Sequence, residues 1–114
     1  MTTAYEAGYS DPCLNYTALL GRMGQYPPKT STTGQIRRTT FTLVCTELGR
    51  DGQPHAAYVS CECWGREAEQ AASLRPGAWV LFEGAVTPRR GEDGWRLLVS
   101  GARLQPLVFD EEAA

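Results

Sequence analysis

The chain has 114 residues and a mass of 12.5 kDa, enough for one domain of ordinary size and too little for a two-domain enzyme. Hydrophobic residues make up 42% and charged residues 21%, near the averages for globular proteins, so we expect a folded, soluble chain. The longest apolar run, Ala78 to Phe82, is far shorter than the ~20 residues that cross a bilayer, and no export signal opens the chain, so we expect a cytoplasmic protein without membrane contact.

The formal net charge of −2 hides an uneven distribution of charged residues. Residues 15–109 hold all 11 basic side chains and 8 of the 13 acidic ones, which makes this part of the chain net +3. No acidic residue lies between Arg22 and Thr40, where four of the basic side chains occur. The interior of the chain is therefore compatible with an anionic partner.

Strand-like runs begin after an extended N-terminal arm. Residues 1–14 contain Gly, Ser, Asp and Pro without a sustained hydrophobic period, which is typical of a flexible segment. From residue 15 onward, alternation and β-favouring composition predict five strands. They cover residues 16–20, 39–46, 57–64, 79–86 and 95–104.

One helix is predicted between the third and fourth strands. Residues 66–74 are rich in helix-forming side chains, and Pro76-Gly77 stops the helix. Turns with glycine at 49–52 and 90–94 predict hairpins between strands two and three and between strands four and five. The polar segment from Gly24 to Gln35 predicts a surface loop between strands one and two.

This order of elements matches one architecture. Five strands with a helix between the third and fourth predict an all-β protein, a five-stranded Greek-key barrel of the OB-fold type. Gly84 interrupts an otherwise apolar strand, so we expect the barrel to bend there. The barrel domain spans residues 15–107, between the flexible arm at 1–14 and a short acidic end at 108–114.

The third strand has two chemically different sides. Cys61 and Cys63 share one side with Val59, and this small apolar set suits a core. Tyr58 and Trp64 lie on the other side, with ~20 Å between them at a rise of ~3.3 Å per residue. Two outward rings either bind a ligand or cover a second core or a subunit contact.

The cysteines and the single histidine predict neither a metal site nor catalysis. The C-x-C at Cys61 and Cys63 has no second knuckle, so we expect buried structural cysteines, no metal and no cofactor. The candidate pair for catalysis is His55 as a base and Cys61 as a nucleophile. Cys61 faces the predicted core, however, and no motif supplies a carboxylate to orient the histidine. Phosphate-binding GxxxxGKS and GxGxxG motifs are absent, so we predict that the protein is not an enzyme.

Four segments carry a family resemblance. They are residues 15–27 (NYTALLGRMGQYP), 41–47 (FTLVCTE), 58–69 (YVSCECWGREAE) and 74–86 (LRPGAWVLFEGAV). In this order and spacing they resemble the bacterial single-stranded DNA-binding protein family, over about residues 15–107. The resemblance implies an OB-fold that assembles as a homotetramer or a dimer. It also implies binding of single-stranded DNA with little sequence preference, in replication, repair or recombination.

The resemblance implies roles for the aromatic residues. Tyr58 and Trp64 fall where the family places rings against bases, and Arg66 falls at a basic position just after the second ring. Every base has a π-face, so stacking worth ~1–3 kcal/mol per base tolerates any sequence. Trp95 is either a third stacking surface or a tryptophan that closes the bottom of the barrel. Tyr26 is a further candidate contact.

Basic side chains would supply the phosphate contacts. Each one that engages a phosphate steepens the log–log salt dependence by ~0.7 on a single strand. The candidates are Arg22, Lys29, Arg37, Arg38, Arg66, Arg89 and Arg90. Alternation places only one member of each adjacent arginine pair on a given face of its strand.

The sequence departs from the family in three respects, one of which is a longer N-terminal arm. Leu48-Gly49 stands near where relatives carry another base-stacking aromatic residue, which implies one contact fewer. The family's long linker and acidic tip are absent, so recruitment of replication and repair proteins through such a tip is not predicted. An alternative function stays open: an OB-fold adaptor in a replication-restart assembly, with the same rings buried against protein.

Overall fold

The computed structural model describes residues 13–109, so most of the predicted arm at 1–14 and of the acidic end at 108–114 lies outside the described residues. The described chain forms six strands and one helix. They are β1 (Thr17–Met23), β2 (Lys29–Thr33), β3 (Ile36–Leu48), β4 (Pro54–Trp64), α1 (Gly65–Ala72), β5 (Trp79–Gly91) and β6 (Gly94–Leu107).

Five of these strands close into a barrel. They are hydrogen-bonded in the order β1, β5, β6, β4, β3, and β1 pairs again with β3 at Met23 and Leu43, which completes the ring. Neighbouring strands are antiparallel except β4 and β6, which run parallel over the three residues from Cys61 to Cys63. Because α1 lies between the third and fourth barrel strands, the predicted all-β architecture with its single helix position is confirmed. Both predicted hairpins are present as well, joining β3 to β4 and β5 to β6.

The predicted surface loop from Gly24 to Gln35 is wrong in its middle. Lys29–Thr33 forms β2, which pairs antiparallel with β3 from Thr40 to Ile36. All five residues of β2 are exposed, so no apolar alternation marks the strand, although its β-branched threonines favour one. The missed signal is Gly34, whose φ of 64° suits the first position of a two-residue hairpin turn.

The hydrophobic core lies inside the barrel and under α1. Phe82 is fully buried and meets Phe41 edge to face, with the ring centroids 5.1 Å apart. Two buried alanines, Ala68 and Ala71, let α1 pack closely against the barrel. The buried hydroxyl of Thr39 donates a 2.7 Å hydrogen bond to the Ala68 carbonyl, which ties α1 to β3.

Two glycines allow β5 and β6 to approach closely. A bend is predicted at Gly84, and the register of this strand pair shifts between Glu83 and Gly84. A Cβ atom at Gly84 would collide with the backbone of Ser100. A Cβ atom at Gly101 would collide with the ring of Phe82. Glycine is required at both positions for steric reasons.

We expect Gly101→Ala to lower the free energy of unfolding by about 1–3 kcal/mol, the usual cost of overpacking a core. The new methyl group would overlap the ring of Phe82, which is fully buried in the core. Gly91→Ala is the matched control, because a Cβ atom there has a single neighbour, at 3.8 Å. Urea unfolding measures both variants, and equal loss of stability in the two would contradict this account of the packing.

Candidate nucleic-acid interface

A groove of about 660 Å³ lies between the β2–β3 hairpin, β4 and the β5–β6 hairpin. Thr40, Thr42 and Ser60 contribute to its lining, and the exposed Tyr26 borders it. Five basic residues also line it: Lys29, Arg38, Arg89, Arg90 and Arg96. No acidic residue of the described chain is among the lining residues, so the lining itself is basic.

Strand register explains why these side chains meet on one face. Lys29 of β2 lies opposite Thr40 of β3, and Thr42 of β3 lies opposite Ser60 of β4. Cross-strand partners project from the same side of a sheet. We call this side the groove face; it carries Lys29, Arg38, Thr40, Thr42, Tyr58, Ser60, Glu62 and Trp64.

Both predicted stacking rings stand on the groove face, on either side of Ser60 along β4, but neither is among the residues that line the groove, and their stacking stays a prediction. Tyr58 is 74% exposed and Trp64 is 36% exposed, whereas Cys61 and Cys63 are buried. The predicted assignment of sides along this strand is confirmed for these four residues. The Arg38 guanidinium carbon lies over the Trp64 ring, 5.6 Å from its centroid, which is within cation–π range.

Glu62 differs from what alternation alone suggests. It belongs to the outward side of β4, yet its side chain is fully buried beneath two arginines. Arg38 donates from Nε and Nη2 to Oε1 at 3.0 and 2.7 Å. Arg89 donates from Nη2 to Oε2 at 2.6 Å and from Nε to Oε1 at 3.2 Å. The partners are 24 and 27 residues away along the chain, so no local pattern reveals the cluster.

The ionisation of Glu62 is coupled to folding. Burial by itself raises the pKa of the carboxyl group, but hydrogen bonds from Arg89, Arg38 and Ser100 outweigh it and hold the pKa below the ordinary 4.5. A lower pKa in the folded state means that the ionised carboxylate stabilises the fold above the unfolded-state pKa. This contribution is lost as the pH falls through the folded-state pKa.

We therefore expect the parent protein to lose more stability than Glu62→Gln does as the pH falls below the ordinary pKa of 4.5, because glutamine does not titrate. Urea unfolding at stepwise pH measures the difference. Glu69→Gln is the control, since Glu69 is exposed and its contact with Arg37 is 3.7 Å long. Identical acid sensitivity of Glu62→Gln and the parent would show that Glu62 has no such role.

Three predicted phosphate contacts lie outside the groove. Arg22 of β1 places its guanidinium carbon 4.4 Å from the centroid of the Trp79 ring. Arg37 faces away from Arg38, as alternation predicts, and pairs with Glu69. Arg66 is exposed in the first turn of α1. None of the three lines the groove, and their contact with phosphate stays a prediction.

The β5–β6 hairpin holds a residue that sequence reasoning missed. Arg96 lies opposite Arg89 across the hairpin and lines the groove. Pairing residues outward from the turn would have revealed it. Arg89 and Arg90 both line the groove, so alternation does not place them on opposite sides as expected. The reason is the strong twist of a two-stranded ribbon, which turns neighbouring side chains toward the same groove.

Trp95 stands opposite Arg90 at the start of β6. Its side chain is 70% exposed, so the interpretation that it closes the bottom of the barrel is wrong. It does not line the groove either, and its stacking role stays a prediction.

Among the described residues, His55 and Cys61 do not form a base and nucleophile pair. Burial raises the pKa of Cys61 and Cys63 to about 12, so neither thiol ionises at neutral pH. His55 is exposed, with Nε2 3.2 Å from an Asp51 carboxylate oxygen, and lies six residues before Cys61 on the same strand. Within residues 13–109 no group of three or more His, Cys, Asp or Glu side chains is arranged to hold a metal ion. The one helix in this part of the chain is not long and apolar enough to span a membrane.

Comparisons with known proteins find related sequences. Two curated relatives are Single-stranded DNA-binding protein A of Bacillus subtilis, 29% identical over 103 residues, and Single-stranded DNA-binding protein 3 of Listeria innocua, 30% identical over 103 residues. Each match covers 86% of this chain, but only 60% and 64% of the relatives, so the chain spans about three-fifths of their length.

Solved structures support the fold independently. The wild-type single-stranded DNA binding protein from Thermus aquaticus matches with a TM-score of 0.68 and 21% identity, over 85% of this chain and 42% of that one. This likeness confirms the predicted OB-fold. Residues 14–96 match the model of the single-strand binding protein family. The chain therefore belongs to the single-strand binding protein family.

Proposed function

We propose that this protein binds single-stranded DNA with little sequence preference. The observation that carries the proposal is a cationic groove on the same sheet face as two exposed aromatic rings. Lys29, Arg90 and Arg96 supply charge for the phosphates. Tyr58 and Trp64 supply ring faces for the bases.

The arrangement selects unpaired strands for a physical reason. In a duplex both faces of a base are covered by its neighbours, so a protein ring stacks only on a base that has left the stack. The two rings lie on the same sheet face as the groove but are not among its lining residues, so we propose that a bound strand follows the groove cations and turns its bases onto the rings beside it. Neither stacking nor phosphate contact reads base identity, which accounts for the low sequence preference.

The relatives support the same conclusion, since each carries the name single-stranded DNA-binding protein. By the same family argument we propose that the chain acts as a homodimer or homotetramer in the cytoplasm, in replication, repair or recombination, and has no enzymatic activity. The adaptor alternative is not favoured, because it gives no role to the cationic groove beside the rings.

Titration with oligo-dT tests the proposal. Tryptophan fluorescence should fall as the oligonucleotide binds, because Trp64 stands on the groove face. The affinity should weaken with salt at a log–log slope of about −2 if the three groove cations named above each meet one phosphate. Duplex DNA of the same length is the control and should bind more weakly. An unchanged fluorescence together with no shift in electrophoretic mobility would refute single-strand binding.

A further inference from the structure

We propose that Glu62 is a positioning residue of the groove. Its carboxylate ties Arg89 of the β5–β6 hairpin to Arg38 of β3, and keeps both arginines from serving as independent phosphate contacts. The inference rests on the proposed function, because it concerns which cations of the same groove meet the nucleic acid.

The contacts of both arginines are largely internal. Together they donate four hydrogen bonds to Glu62. Arg89 also donates from Nη1 to the Pro88 carbonyl at 3.2 Å, and Arg38 lies over the Trp64 ring. Their side chains are 28% and 39% exposed, against 0% for Glu62. Both guanidinium groups therefore already have an anionic partner.

Desolvation makes this partnership difficult to exchange. A buried carboxylate that loses a cationic partner is left with an uncompensated charge in a medium of low dielectric constant. A phosphate at the groove surface is solvated and screened by salt, so it attracts an arginine only weakly. This attraction is smaller than the free-energy cost of leaving the buried Glu62 carboxylate without that arginine. A bound strand should therefore leave the cluster intact.

The same cluster holds the hairpin in place. β6 pairs with β4 only from Val99 to Gly101, so residues 87–98 of the hairpin have no backbone ladder to β3 or β4. Among the described residues, the contact between Arg89 and Glu62 is the one polar side-chain link from that stretch to β1, β3, β4 or α1. Leu98 is buried at the base of this stretch, so the contact with Glu62 is the anchor nearer the turn and positions Arg90 and Arg96 relative to β3.

Arg96 provides an internal comparison. It is the cross-strand partner of Arg89, lines the same groove and is exposed. Its side chain has no hydrogen bond or ion pair with any residue from 13 to 109. Two arginines on one face of one hairpin thus differ mainly in whether a buried carboxylate holds them.

The salt dependence of oligo-dT binding separates the two roles. Arg96→Met should lower the log–log slope by about 0.7, whereas Arg89→Met should weaken binding without lowering the slope. Glu62→Gln should steepen the slope by about 0.7 to 1.4, because one or both arginines become available to phosphate. Glu69→Gln, which removes an exposed partner of Arg37, should leave the slope unchanged. An equal decrease in Arg89→Met and Arg96→Met, or an unchanged slope in folded Glu62→Gln, would overturn the inference.

Amide hydrogen exchange tests the positioning role without nucleic acid. Arg89→Met should accelerate exchange in residues 87–98, and Arg96→Met should not. If the parent protein fails to bind oligo-dT, the proposed function is wrong while this measurement still decides whether the cluster holds the hairpin. Equal exchange in the two variants would refute that role, and circular dichroism confirms that each variant is folded. If Glu62→Gln does not fold, the comparison of the two arginine variants decides the question.

Discussion

Trp64→Ala is expected to weaken binding of oligo-dT by about 1–3 kcal/mol, or roughly 5- to 150-fold, with the log–log salt slope nearly unchanged. Stacking involves no phosphate and releases no counterions, so affinity falls while the slope does not. Tyr58→Ala should behave in the same way, because the two rings share the groove face. Fluorescence anisotropy of a labelled oligonucleotide is the suitable measurement, since it does not depend on the tryptophan that is removed.

Conservative ring substitutions are the matched controls. Trp64→Phe and Tyr58→Phe retain a π-face and should keep most of the affinity. The location of the interface would be wrong if Trp64→Ala bound oligo-dT as tightly as the parent. A loss in Trp64→Phe as large as in Trp64→Ala would show that the indole makes a specific contact instead of stacking.

The second large effect concerns the groove cations. Replacing Lys29, Arg90 and Arg96 together with alanine should lower the log–log salt slope by about 2, at ~0.7 for each phosphate contact. The loss of affinity should be greatest at low salt and shrink as the salt concentration rises. A salt series with labelled oligo-dT measures both quantities.

A triple variant elsewhere on the surface controls for total charge. Arg50, Arg75 and Arg103 are exposed and do not line the groove, so their replacement removes the same charge from other positions. We expect this variant to change the slope far less than the groove variant. Equal slopes in the two would mean that net charge, and not the groove, governs binding.

Local patterns in the sequence were sufficient for much of the fold. Alternation along β4 sorted the buried Cys61 and Cys63 from the exposed Tyr58 and Trp64, because a strand buried on one side has a period of two. Glycine-containing turns marked both hairpins, and the run of helix formers marked α1. β2 escaped the same reasoning because all its side chains are exposed, which leaves no hydrophobic period to detect.

The composition of the groove depends on contacts between distant parts of the chain. The candidate list drawn from the sequence grouped the pairs Arg37-Arg38 and Arg89-Arg90 together as flanking strand ends, and it left out Arg96. Folding places Arg38 and Arg89 on the buried Glu62, Arg37 on the far side of β3, and Arg96 among the groove residues. Residue types and strand periodicity are local properties, and they determined the barrel and the outward rings. Which charges are neutralised within the protein and which stay available to a ligand depends on burial and on pairs 24 or more residues apart, and these arise only when the barrel closes.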